Sequence, residues 1–197
     1  MLFDEKWSHD SAVCETVYFF VEFVCIFPWK CVSLNNQNRG KIMDGILRKL
    51  PIGIQTFEKL REGDYLYVDK TALVWRIAST ETPYFLSRPR RFGKSLLLST
   101  FEAYFEGKKN LFEGLAIADM EKEWKTYPVF HLDLNAEKYD SPQALVEILS
   151  RQLTQWELKY GKGEDEETLS GRFAGVIRRA CEQSGRGVVV LVDEYDK

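Results

Sequence analysis

Apolar positions recur along this chain in two rhythms, one helical and one extended, and the rhythm switches several times. Leu97, Leu98, Phe101, Tyr104 and Phe105 fall at helical spacing, which predicts a helix over Lys94–Phe105 stopped by Gly107. Pro128 introduces Val129-Phe130-His131-Leu132-Asp133-Leu134, whose alternation predicts a strand. Ser141 and Pro142 supply an N-cap and a first-turn proline for a helix towards Tyr160, broken by Gly161-Lys162-Gly163. Another helix is expected over roughly residues 166–183. Gly187 then leads into Val188-Val189-Val190-Leu191-Val192, an unbroken apolar run of the kind buried on both faces of a sheet. Upstream, Tyr84-Phe85-Leu86 is a short strand candidate, and residues 70–78 carry Leu73, Val74 and Ile77 at helical spacing. Residues 65–68 read as extended, and 46–50 and 56–60 as short helical turns. Strands separated by helices imply βαβ units, so the fold class is α/β with a parallel sheet.

Residues 1–42 differ in texture from the rest. They hold three of the four cysteines (Cys14, Cys25 and Cys31; the fourth is Cys181), the dense run Val17-Tyr18-Phe19-Phe20-Val21, and a polar stretch over residues 33–40. The reading adopted is an N-terminal extension, non-native or poorly ordered, with translation starting naturally at Met43. The alternative is a packed N-terminal strand or helix. The apolar stretch over residues 17–27 contains Glu22 and is shorter than the ~20 residues a membrane helix needs. Its leading residues are mixed in charge and no small-residue cleavage site follows, so it does not read as a signal peptide.

Composition narrows the class further. An apolar fraction of 45% with 29% charged residues is that of a folded globular chain. The net charge of −3 gives no global attraction to nucleic acid or to an anionic membrane. Without a C-x-x-C pair, and with only His9 and His131 as further soft ligands, a zinc site is not expected. Four reduced thiols in a cytoplasmic protein are the simplest expectation.

Two stretches carry chemistry. Arg88-Pro89-Arg90-Arg91-Phe92-Gly93-Lys94-Ser95 matches the end of the phosphate-binding pattern G-x-x-x-x-G-K-[ST], with Arg88 where the first glycine would stand. Gly93 lets the backbone approach a phosphate, and the N–H groups of Arg91, Phe92, Gly93, Lys94, Ser95 and Leu96 can turn inward at a helix start that favours an anion. Lys94 offers a charge to the β- and γ-phosphates of ATP, and Ser95 a hydroxyl to Mg²⁺. In isolation the same residues read as an exposed basic turn before an amphipathic helix. The second stretch is Val188–Asp193 followed by Glu194: an apolar parallel strand delivers Asp193 to its C-terminal end as a Mg²⁺ ligand, with Glu194 beside it to orient and deprotonate water. In isolation that is a buried strand ending in an acidic turn. Their joint occurrence, each in βα context, favours a nucleotide site with Lys94 and Glu194 as the catalytic pair.

Leu50-Pro51-Ile52-Gly53, Tyr67-Val68-Asp69-Lys70-Thr71, the run from Phe85 through Arg88-Pro89-Arg90-Arg91-Phe92-Gly93-Lys94-Ser95, Tyr104-Phe105-Glu106-Gly107, and Val192-Asp193-Glu194-Tyr195-Asp196-Lys197 together resemble the predicted bacterial AAA-ATPase-like family over about residues 45–197. Arg88 at the first glycine position is similar to that family's own pattern. The resemblance implies a P-loop NTPase three-layer sandwich, with residues 43–197 as a partial domain and a PD-(D/E)XK nuclease-like region normally following. It also implies a further strand, carrying a γ-phosphate sensor, between the P-loop strand and the strand ending in Asp193. That strand would follow Lys197, so the expected fold is incomplete, truncated after the Asp193 strand. Nucleotide binding with very slow turnover is expected of this chain.

Hydrolysis in the whole protein would energise or gate an attached activity such as nucleic-acid processing. Two rival readings are a P-loop phosphotransferase and a non-hydrolysing module held together by nucleotide. Expected partners are a nucleotide, with a homo-oligomer and, through a C-terminal region, nucleic acid as further candidates, and no membrane. Asp69 is expected to cap a helix. Glu164-Asp165-Glu166-Glu167 reads as a solvated helix start, and His131 as a packed residue rather than a base.

Overall fold

The computed structural model describes the backbone of residues 17–21 and, in full, residues 48–80, 83–86, 92–134 and 141–194. Four parallel strands form one sheet in the order β2-β1-β4-β3, with β1 at Val17–Val21, β2 at Tyr84–Phe85, β3 at Val129–Asp133 and β4 at Val188–Asp193. The described helices are α1 (Phe57–Glu62), α2 (Thr71–Ala78), α3 (Lys94–Phe105), α4 (Ala116–Met120), α5 (Pro142–Tyr160) and α6 (Leu169–Ser184), with a 3₁₀ turn at Lys109–Phe112. The mixed α/β architecture and the parallel pairing follow the sequence expectation.

β4 is the hub because it is apolar on both faces. Val189 and Leu191 point into a core with Phe57, Val74, Phe101, Phe105, Phe112 and Ile117 from the α1–α4 side. Val188 and Val190 point the other way, into a core with Phe130, Leu153, Val176 and Ala180 under α5 and α6. All four residues from Val188 to Leu191 are buried. Helices therefore cover both faces of the sheet, as a continuous apolar strand demands.

β1 falls in the segment read from sequence as an N-terminal extension, with a packed strand or helix as the alternative. Val17–Val21 pairs with β4 from Val17↔Val188 to Val21↔Val192, and with β2 at Phe20↔Tyr84 and Val21↔Phe85. It is a central strand, hydrogen-bonded on both sides; the rest of the segment before Arg48 lies outside the described residues.

The helical turn expected over residues 46–50, of which 46 and 47 lie outside the described residues, is not present at Lys49, which is extended and bridges Tyr65 in parallel. Leu50 precedes Pro51, and a proline pushes the residue before it towards extended backbone. α6 begins at Leu169 with Thr168 as N-cap, its side-chain oxygen accepting the Gly171 N–H at 3.0 Å. Glu166 thus lies before the helix, and it is not a solvated residue. Its carboxylate takes two bonds from Arg179, at 2.6 and 2.9 Å, and its side chain is only 11% exposed. Cys181, buried in α6, is disulfide-bonded rather than a free thiol.

The Glu166 side chain lies against the backbone of Gly175 in α6. A Cβ on Gly175 would fall 1.7 Å from Glu166 Oε1. Alanine in a helix interior normally gains about 1 kcal/mol over glycine. Here the ion pair must move to admit it, so Gly175→Ala is expected to destabilise the chain by about 1–3 kcal/mol, read from urea unfolding. A stabilised variant would mean that Glu166 yields freely.

α5 and α6 are held by a second ion pair, the buried Glu157 with Arg172. The bond to Arg172 holds the Glu157 carboxyl below its ordinary value of 4.5, and the bond to Arg179 does the same for Glu166. Both groups contribute stability that is present above pH 4.5 and lost as pH falls through their lowered folded values.

Candidate functional site

α3 starts where the sequence requires it to start. Gly93 stands at its N-cap with φ 75° and ψ 31°, a left-handed backbone that side chains rarely adopt. A Cβ there would meet nothing within 4 Å, so the glycine serves conformation rather than packing. The Gly93 carbonyl accepts the Leu97 N–H at 3.0 Å, which leaves the first amides of α3 directed out of its N-terminus. Phe92 is exposed, Lys94, Ser95 and Leu96 are half-buried, and Leu96 packs on the core that holds Val189 and Leu191. Arg91 lies outside the described residues, as do Arg88 and Arg90.

β2 and β4 run parallel, and Phe85 and Val192 both pair with Val21. The chain accordingly leaves both strands at the same edge of the sheet. α3 follows the exit from β2, and Asp193 and Glu194 form the exit from β4. α3 packs directly over β4 and β3.

Asp193 closes β4 with 5% exposure, and its Oδ1 is buried with no hydrogen-bond partner. A buried carboxylate oxygen without a donor or cation is costly and calls for an explanation. The Asp193 carbonyl accepts the Leu134 N–H at 3.2 Å, which pins the end of β4 to the end of β3. Glu194 then takes φ 57°, so the chain turns sharply as it leaves the sheet. Ser95 at the start of α3 and Asp193 at the end of β4 are oxygen donors of the kind a hard divalent cation takes. Among the described residues no three His, Cys, Asp or Glu side chains converge on a metal site.

Sequence reasoning missed a polar pair next to these residues. His131 on β3 bonds through Nδ1 to Glu102 Oε2 on α3 at 3.0 Å, and its Nε2 is buried without a partner. Burial pushes the imidazole's pKa down, but the bond and charge of Glu102, with the charges of Asp193 and Asp133, outweigh it and leave the pKa raised. No local signal joins Glu102 to His131, because their meeting depends on how α3 lies across β3. Since the raised pKa sits above the ordinary 6.5, the stability it contributes is fully present below pH 6.5 and lost as pH rises through the folded value. With Glu157 and Glu166 weakening only below pH 4.5, chemical-denaturation stability is expected to peak between pH 4.5 and 6.5. His131→Gln should remove the decline on the alkaline side.

Asp69 does cap a helix, and holds a second element as well. Its Oδ1 accepts the Thr71 N–H at 2.8 Å and the Thr71 hydroxyl at 2.7 Å, while Oδ2 accepts the Ala116 N–H at 2.7 Å. The Thr71 Oγ1 in turn accepts the Ile117 N–H at 3.1 Å. The Asp-Lys-Thr run is therefore a clamp between α2 and α4, a structural part of the frame beneath α3. Among the described residues no helix is long and apolar enough to cross a membrane.

Comparison with known proteins agrees with this frame. The family model described as "Predicted AAA-ATPase" matches residues 51–197. An uncharacterized protein in the vnfD 5′ region of Azotobacter chroococcum mcd 1 is 44% identical over 151 residues. That match covers 76% of this chain and 29% of the relative's own length. No solved structure matches. With a helix start at Gly93-Lys94-Ser95 and a buried strand ending in Asp193 inside the matched span, the chain belongs to the AAA-ATPase-like family.

Proposed function

We propose that this chain binds ATP with Mg²⁺, in a P-loop NTPase sandwich, and that the whole protein hydrolyses it to energise or gate an attached activity. The observation that carries the reading is the Asp193 carboxylate, buried at the end of β4 with Oδ1 unpartnered on the sheet face that α3 covers. A buried anion of this kind is stable when a cation faces it. The amides from Gly93 to Leu96, and Lys94, would hold the phosphates; Ser95 and Asp193 would hold Mg²⁺. A cation held there would neutralise charge on the phosphates. Glu194, next along the chain, is the group suited to orient and deprotonate a water. Arg91 and Phe92 complete the proposed cradle from its N-terminal side.

The chain spans 29% of its relative's length, so hydrolysis, a nucleic-acid partner and assembly into oligomers are proposed only for the whole protein. The test is titration of a fluorescent ATP analogue into this chain with and without Mg²⁺. Lys94→Ala should weaken binding by roughly ten- to a hundredfold, the loss of a charged hydrogen bond worth about 1.5–3 kcal/mol. Asp193→Asn should abolish the Mg²⁺ dependence, and Glu194→Gln should leave binding intact. Equal binding by unaltered protein and Lys94→Ala would sink the reading. A phosphotransferase would instead retain turnover in Glu194→Gln when supplied with an acceptor.

A further inference from the structure

Two buried polar atoms without partners lie on one face of the sheet under α3. Residues 129, 131 and 133 of β3 share a face, and residues 189, 191 and 193 of β4 share a face, because side chains alternate along a strand. Val129, Val189 and Leu191 all pack in or against the α3-side core. The bond from His131 to Glu102 of α3 sets that ring on the same side. The register pairs His131 with Leu191 and Asp133 with Asp193, so His131 and Asp193 are diagonal neighbours. Such neighbours project from the same face of the sheet, one pair apart along adjacent strands. The unpartnered atoms are His131 Nε2 and Asp193 Oδ1, and Asp193 is 5% exposed.

Chemistry limits what can satisfy both. Glu102, when ionised, only accepts, so the proton of a neutral His131 sits on Nδ1. Nε2 is then a lone pair in the neutral ring and an N–H donor in the imidazolium, while Asp193 Oδ1 accepts in either state. A water molecule, which both donates and accepts, bridges the two atoms in both states.

We propose that His131 is a positioning residue for the nucleotide site: anchored to α3 through Glu102, it shares a water molecule with Asp193 Oδ1 and so fixes the orientation of that carboxylate towards Mg²⁺. The proposal deepens the ATP–Mg²⁺ reading and rests on it. It gives Glu102 a purpose that packing does not. Glu102 ties the helix that starts the phosphate cradle to the strand beside the magnesium carboxylate. Outer groups that orient a metal ligand typically change metal affinity by about 10–100-fold when removed.

The experiment measures nucleotide-analogue binding to this chain across a Mg²⁺ titration, for unaltered protein, His131→Ala, His131→Gln and Glu102→Gln. His131→Ala is expected to raise the Mg²⁺ concentration needed by roughly tenfold or more, leaving Mg²⁺-free binding unchanged. His131→Gln, which keeps a polar end near the Nε2 position, should restore much of the loss. Glu102→Gln, which keeps an acceptor for Nδ1, should fall between. A second readout needs no binding at all. The chain has two histidines, so ¹⁵N spectra of the imidazoles are assignable by comparison with His131→Gln. His131 should appear as the Nδ1–H tautomer, and its Nε2 signal should move when Mg²⁺ and the analogue are added together.

An unaltered Mg²⁺ requirement in a folded His131→Ala, with normal binding by the parent, overturns the positioning role and spares the ATP reading. An Nε2–H tautomer in the neutral ring overturns it also. Absence of Mg²⁺-dependent binding in the unaltered protein overturns both. If His131→Ala fails to fold, the Gln variants and the tautomer decide.

Discussion

Arg172→Ala is expected to destabilise the protein by about 3–5 kcal/mol, the cost of leaving a buried charge without its partner. Glu157 and Arg172 are 6% and 11% exposed at their side chains, so water cannot take over from the lost guanidinium. All three guanidinium nitrogens are bonded: Nε and Nη2 reach the two Glu157 oxygens at 2.7 and 2.8 Å, Nη1 reaches Ser150 Oγ at 2.7 Å, and Nη2 also reaches Thr154 Oγ1 at 2.9 Å. Every one of those acceptors belongs to α5 and the donor to α6, so the fork is the polar clamp of that helix pair. For a domain of this size the loss corresponds to a fall in Tm of roughly 10 °C. Replacing both partners together, as Glu157→Leu with Arg172→Leu, should cost far less, because the desolvation of two charges is then avoided. Thermal melts of the single and double variants measure the contrast. A single variant within 1 kcal/mol of the parent would mean that α5 and α6 are held by their apolar contacts alone.

Phe19→Pro should cost about 3 kcal/mol or more, or abolish soluble expression. β1 lies between β4 and β2 with Phe19 opposite Val190, so proline there interrupts a central strand, where it is not tolerated. A control proline at Asn36, in the polar stretch, should be neutral. The comparison bears directly on whether residues 1–42 are a dispensable extension: if Phe19→Pro melts like the parent, the sheet does not depend on β1. The expected outcome is a soluble control and a failed or strongly destabilised strand variant.

The elements that sequence rhythm located well are those whose burial is local in origin. β4 reads as buried on both faces because every residue from Val188 to Val192 is apolar, and α5 announces its start with Ser141, whose Oγ accepts the Ala144 N–H at 3.2 Å. The capping role of Asp69 was legible for the same reason, since Thr71 is two residues away. What rhythm could not supply was the choice of distant partner. Nothing in Val17–Val21 names β4 and β2 as its neighbours, and nothing in Glu166 names Arg179. α4 and the 3₁₀ turn at Lys109–Phe112 are too short to carry a period. At the candidate site, Gly93, Lys94, Ser95, Asp193 and Glu194 were legible as motif residues. Glu102 and His131 were not, because their meeting is a property of helix-on-sheet packing.

β1 also sets a timetable for folding. Its long partner, β4, lies far along the chain in sequence, with Val17 beside Val188. On a ribosome that releases the chain from its N-terminus, Val17–Val21 must wait for its longer pairing until Val188–Asp193 has been made. Closing so long a loop adds little to the equilibrium cost, which grows only as the logarithm of length, but it slows the search. Refolding from urea should therefore show a late phase in which the sheet closes, and a chaperone that shields exposed strands should raise the yield of soluble protein. Moving Val17–Val21 to follow β4 by circular permutation would shorten that wait without changing a single pairing.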